Sequence, residues 1–190
     1  MIRECIVTTR DAHGVVHIAP LGLIEEGNQL VIAPFRPSQT LDNLRQVPFA
    51  VANYCDDVRI FAGCLTGRRS WPAKPAVKVP GAVLTAALAH SELRVAEAID
   101  DDLRPRFRCA VVHEENHRPF HGFNRAQVAV IEAAILVSRL HMLPADKIDR
   151  ELTYLRIAID KTAGPAEQEA WQWLRDAIAA HRATPNKESA

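Results

Sequence analysis

The sequence has no apolar run long enough to cross a bilayer. Its longest, Ala126 to Leu136, is broken by Gln127 and Glu132 and falls far short of the roughly 20 residues that a spanning helix needs. Nor is there an excess of charge of either sign: 23 Lys and Arg balance 23 Asp and Glu. Affinity for nucleic acid comes mostly from clustered cations that neutralise phosphates. With no basic stripe to compensate for the balance, general nucleic-acid binding is excluded. Closely spaced cysteines are missing too. Cys5, Cys55, Cys64 and Cys109 lie singly in strand-like apolar segments, which reads as small buried thiols rather than a zinc knuckle or a redox pair. The start of the chain carries Arg3, Glu4, Arg10 and Asp11 where a signal peptide would be apolar, so the expected location is cytoplasmic.

Catalytic fingerprints are equally scarce. Walker and dinucleotide glycine loops are absent, and no serine sits in a Gly-x-Ser-x-Gly turn. Asp56-Asp57 and Asp100 to Asp102 are adjacent only along the chain and read as solvated turn residues. What remains is a chain of 190 residues, 48% of them apolar, which is enough for a core without staples of metal or disulfide.

The first part reads as a β meander. Glu4–Thr9, Val15–Leu21 and Gln29–Phe35 are β-prone runs separated by the turn signals Asp11–Gly14 and Glu25–Asn28. Connections this short fit antiparallel pairing, because a parallel crossover needs a dozen residues or more. Thr40–Gln46 has room for two helical turns, capped by Ser38 or Thr40 and stopped before Pro48. Phe49–Tyr54 and Ile60–Thr66 are further expected strands, and the proline-rich stretch from Arg68 to Pro80 is an expected loop. Leu84–Ala98 is ambiguous, helical at its start and alternating from Ser91 onward. Arg106–His113 alternates clearly as a strand. The last third is helical. Val128, Ile131, Ile135, Leu136 and Leu140 follow a cap at Asn124, and Ile148, Leu152, Leu155 and Ile159 mark a second helix. That helix ends at Gly164-Pro165, and a third carries Trp171, Leu174 and Ile178.

Two constellations stand out. In Phe35-Arg-Pro-Ser-Gln-Thr40, one guanidinium and two hydroxyls alternate around a proline immediately before a short helix. A phosphate is recognised by this combination of forked cation, hydroxyl donors and free helix-start amides. Helix caps beside a solvated arginine are the competing reading. The second constellation is histidine-rich. His113, His117 and His121 recur every four residues, but Pro119 and Gly122 break any helix that would align them as metal ligands, and no metal site is expected. His17 lies between apolar neighbours, as a hydrogen-bonded strand histidine would.

The segments HGVVHIAPLGL (13–23), VIAPFRPSQTLDNLRQ (31–46), VANYCDD (51–57) and FHGFNRAQVAVIEAAILVSRLHML (120–143) together resemble the DUF447 family, whose fold is similar to the flavin-reductase-like FMN-binding split barrel. The resemblance implies an α+β architecture, an antiparallel split barrel followed by helices. Residues 1–120 would form the FMN-binding barrel, 121–182 a three-helix segment and 183–190 a flexible tail. It implies FMN as cofactor, with Arg36, Ser38 and Thr40 holding its phosphate. The His17–Pro20 strand, including Ala19 and Pro20, would lie near the isoalloxazine ring, and Asn53 near the ribityl chain or ring edge. Arg125, a cation unfavourably placed in the first turn of a helix, would answer an anion. It further implies a homodimer sharing the flavin site and a small-molecule redox partner, with no membrane or nucleic-acid partner. The implied activity is that of an oxidoreductase, with tetrahydromethanopterin-linked one-carbon chemistry as a setting and His17 as the candidate acid or base. The alternative is a non-catalytic FMN-binding or flavin-storage homodimer.

Overall fold

The computed structural model describes residues 1–183, so the expected tail beyond Ala183 lies outside the described residues. The described residues divide into two compact units, residues 1–56 with 69–120, and residues 57–68 with 121–183.

The first unit is a closed antiparallel barrel. Its strands are β1 (Ile2–Arg10), β2 (Val16–Glu26), β3 (Gln29–Ile32), β4 (Phe49–Cys55), β7 (Ala87–Ile99) and β8 (Arg106–Asn116), in the order β1-β2-β3-β8-β7-β4. The strand expected at Gln29–Phe35 ends at Ile32, before Pro34 removes a ladder donor. Strand β2 runs five residues past the expected Leu21, because the polar Glu25-Glu26 pair still hydrogen-bonds across to β3 and the turn falls at Gly27-Asn28. The ambiguous 84–98 segment is strand: β6 (Ala82–Leu84) pairs with β5 (Ala73–Pro75), and β7 follows.

Alternation sorts the barrel wall. Cys5, Val7, Leu23, Ala50, Ala52, Leu93, Phe107 and Cys109 fill the interior. One end is closed by α1 (Gln39–Gln46), whose Leu41 and Leu44 enter the same core. Ser38 caps this helix, its hydroxyl accepting from the Leu41 amide. Buried Asn43 then ties α1 to the wall by donating to Thr9 Oγ1 across 3.0 Å. The outer face of β4 is covered by the β5–β6 hairpin, where Val51 packs on Val79 and Val83. Here Gly81 is required: a Cβ would lie 2.6 Å from Val51 Cγ2.

The second unit is helical: α2 (Arg59–Leu65), α3 (Arg125–Ser138), α4 (Ala145–Thr162) and α5 (Pro165–Ala183). Ile60–Thr66 was expected as a strand and is α2 instead. Val58 and Ala62, four apart, sit in the core that Ala126, Ala133, Trp171 and Leu174 form, so packing selects helix over the residues' intrinsic β preference. Cys64 therefore lies on a helix and not in a strand. Trp171 is buried in that core while Trp173 lies at its boundary beneath the Arg68 guanidinium, 4.2 Å from the ring centre. Among the described residues no helix is long and apolar enough to cross a membrane.

Candidate functional site

The segment entering α1 carries the strongest site geometry. The Arg36–Pro37 peptide is cis, and the Arg36 amide donates to Leu103 O. Its guanidinium donates through Nη2 to Asp100 Oδ1 at 2.7 Å and to Asp101 O at 3.2 Å. Its Nε is buried with no hydrogen-bond partner among the described residues, an arrangement costly enough to point to an acceptor brought by a ligand. Arg45, at the other end of α1, also reaches Asp100 Oδ1 at 3.1 Å. Asp100 with Arg45, Ile99 and Phe107 lines a cavity of about 230 Å³. Two cations, Arg36 just before α1 and Arg45 in its last turn, thus meet at a single exposed carboxylate that borders a concave apolar patch. An anionic group with an apolar body fits this set, the orphaned Arg36 Nε supplying a donor.

Ser38 is a helix cap, as the plainer reading expected; its hydroxyl still has donor capacity, because in the cap it only accepts. Thr40 is buried in the first turn of α1. His17 pairs with Thr9, the residue to which α1 is tied through Asn43, so the barrel brings His17 to the end that α1 closes. Burial, and then the charge of Arg69, hold its imidazole below the ordinary value. It is therefore neutral at physiological pH. Ala19 shares the face of His17, and Pro20 takes the opposite one, paired with Ile6.

Asn53 is placed differently. It lies in the barrel wall with no solvent exposure. Its Nδ2 donates to Ile6 O (3.1 Å) and Val51 O (3.2 Å), and its Oδ1 accepts from the Leu84 amide at 2.8 Å. Both amide hydrogens are committed, so Asn53 fastens β1, β4 and β6 together. Arg125 opens α3 in the helical unit, where Asn124 caps the helix through the Ala126 amide. There Arg125 lines a cavity of about 270 Å³ with Val128, Tyr154 and Ile157.

Sequence reasoning missed Asp100 as the partner of Arg36, because the two are 64 residues apart and only barrel closure joins them. It also missed His90 and Glu92, both wholly buried on the outer face of β7. Their signal was present as i, i+2 spacing at the edge of the ambiguous segment. His113 and His117 are on one face of β8 and just beyond it, at strand rather than helical period, and His121 is exposed.

The fold is shared with proteins of known structure. An FMN-bound protein from Methanosarcina mazei superposes with a TM-score of 0.82 at 19% identity, over 93% of this chain and 94% of its own. Flavin reductase HpaC complexed with NADP+ gives 0.55 at 16% identity, over 65% of this chain and 82% of its own. An FMN-binding protein from Thermus thermophilus with bound p-hydroxybenzaldehyde gives 0.53 at 14% identity, over 63% and 74%. At these identities the likeness establishes the barrel. No curated protein matches the sequence. Two family models do: "Protein of unknown function (DUF447) N-terminal domain" over residues 3–118, and "Protein of unknown function (DUF447)" over residues 124–176. Barrel and helical segment are matched in their family order, and the chain belongs to the DUF447 family.

Proposed function

We propose that this chain is a flavoprotein that binds FMN, with Arg36, Ser38 and Thr40 receiving the phosphate at the start of α1, and that it acts as an oxidoreductase on a small molecule. The observation that carries this reading is the buried Nε of Arg36, without a hydrogen-bond partner among the described residues, two positions before the Ser38 cap of α1. The barrel it sits on is one that flavin-binding structures share. When bound, FMN supplies the redox chemistry. The chain supplies binding and orientation: Arg36 and Arg45 give positive charge, and Ser38 and Thr40 give hydroxyls. The neutral His17 ring is the one candidate for holding or passing a proton, and Ala19 and Pro20 belong to the same β2 segment. Resemblance alone supports tetrahydromethanopterin-linked one-carbon metabolism as the setting and a shared site in a homodimer as the assembly. It is likewise the sole support for Asn53 and Arg125 as flavin contacts.

The test is a pair of fluorescence titrations. Arg36→Ala removes a charge-assisted interaction of roughly 1.5–3 kcal/mol and should weaken FMN about 10- to 150-fold. Riboflavin, which lacks the phosphate, should bind the wild type more weakly and scarcely respond to the substitution. Unchanged FMN affinity would remove Arg36 from the site. Oxidation of reduced nicotinamide well above the rate of free flavin separates an oxidoreductase using that donor from a storage protein. Light scattering at about twice 21.1 kDa checks the dimer.

A further inference from the structure

A second cluster lies on the outer face of the β7–β8 ribbon. Antiparallel register places His90 opposite Glu115 and Glu92 opposite His113, so four side chains with ligand chemistry share one patch of sheet. The Glu92 carboxylate is wholly buried and accepts from three consecutive amides, Val77 (2.7 Å), Lys78 (2.6 Å) and Val79 (2.9 Å). It lies 3.4 Å from His90 Nε2. The other nitrogen of His90, Nδ1, lies 2.8 Å from His117 Nε2. The two ring planes differ by 4° with centroids 5.0 Å apart. At that nitrogen separation the rings lie edge to edge in a common plane, sharing a hydrogen bond rather than stacking.

We propose that His90, His113 and Glu115 form a binding site for one divalent transition-metal ion of the zinc class. Each offers a ligand atom, and the three atoms lie within 4.8 Å of one another. Ligands about 2.1 Å from a tetrahedral ion stand about 3.4 Å apart, so a small rotation of the two more exposed side chains completes the set. Two imidazoles and a carboxylate suit zinc and its neighbours better than magnesium or calcium, which take oxygen ligands.

Two observations beyond proximity point to a cation. His113 Nε2 is buried with no hydrogen-bond partner among the described residues, although a carboxylate oxygen of Glu115 stands 3.9 Å away. His90 bridges Glu92 and His117, and an ion at Nε2 would take the place of its hydrogen bond to Glu92 Oε1. Ligation at Nε2, the edge that faces Glu92, leaves Nδ1–H to donate to His117, and such a partner on the far nitrogen fixes tautomer and ring orientation. Glu92 adds a fixed negative charge beside the ion. Partial exposure of His113 and Glu115 leaves an entry path from solvent on the β8 side.

The test titrates the full, flavin-free chain with Co²⁺ and reads its visible absorption, with Zn²⁺ as competitor. The wild type should take up one equivalent with a four-coordinate spectrum that Zn²⁺ abolishes. His113→Ala and Glu115→Gln should each weaken binding more than about 100-fold, since even outer partners cost 10- to 100-fold. Both replaced residues are partly exposed, so the circular dichroism and metal-free melting of the variants should match the wild type. His13→Ala, on an exposed hairpin turn, should bind as the wild type does. Absence of stoichiometric Co²⁺ uptake, or wild-type affinity in either His113→Ala or Glu115→Gln, would overturn the site.

Discussion

Arg36 and Asp100 form an ion pair, Nη2 to Oδ1 at 2.7 Å, that joins the segment entering α1 to the residue just beyond β7. Because Asp100 also holds Arg45, one carboxylate engages both cations of the proposed phosphate site.

Replacing that carboxylate should favour the phosphate. Asp100 is largely exposed, and exposed pairs are worth about 0.2–1 kcal/mol. Asp100→Asn should therefore tighten FMN binding about 1.5- to 5-fold while leaving riboflavin affinity unchanged. Titration of both flavins at low ionic strength reads the effect. Weaker FMN binding in the variant would show that Asp100 positions Arg36 rather than competes for it.

Asn53→Ala should destabilise the barrel whether or not FMN is present. The substitution takes the side-chain acceptor from the Leu84 amide and a donor from each of the Ile6 and Val51 carbonyls in a place without solvent, and an unsatisfied buried group costs about 1–3 kcal/mol. Urea denaturation should show a loss of about 2–4 kcal/mol, less than the sum of three groups because the β5–β6 hairpin can shift. A loss below about 0.5 kcal/mol would mean that water replaces the amide fully.

The His17 ring makes stability fall toward acid. Its folded value lies below its unfolded one, so protonation is taken up preferentially by the unfolded chain. The contribution is complete above the unfolded value near 6.5 and is lost as pH drops through the lowered folded value. Denaturation midpoints from pH 7.5 to 5 should decline more steeply in the wild type than in His17→Asn. Identical slopes would place His17 in a more solvated position.

Cys5 and Cys109 should resist thiol reagents. Burial pushes both thiols up to about 12, so at pH 8 almost none of either is thiolate. Mass spectrometry after brief alkylation of the native protein should find both unmodified, and both modified after unfolding in guanidinium. Rapid native labelling at Cys5 would mean that the β1–β2 wall opens locally.

Much of the local order is legible from residue spacing. The meander follows from β-prone runs between polar turns, α1 from Ser38 ahead of Leu41 and Leu44, and the late helices from apolar recurrence ending at Gly164-Pro165. The motif at Arg36, Ser38 and Thr40 is legible too, because its parts are contiguous. The segment 60–66 is not. Its own residues allow a strand, and only the Ala- and Trp-lined core around Val58 and Ala62 makes it helix.

Sequence by itself determined the antiparallel β1–β2–β3 meander, the capping of α1 and the helical last third, since each rests on short turns or on residues within about four positions of one another. Only the tertiary structure decided that Arg36 meets Asp100, that Asn53 is consumed by backbone, and that Glu92 faces His113. Those pairings depend on strand register and barrel closure. Register in turn is set by which face of every strand is buried, a property of all six strands together and not of any one segment.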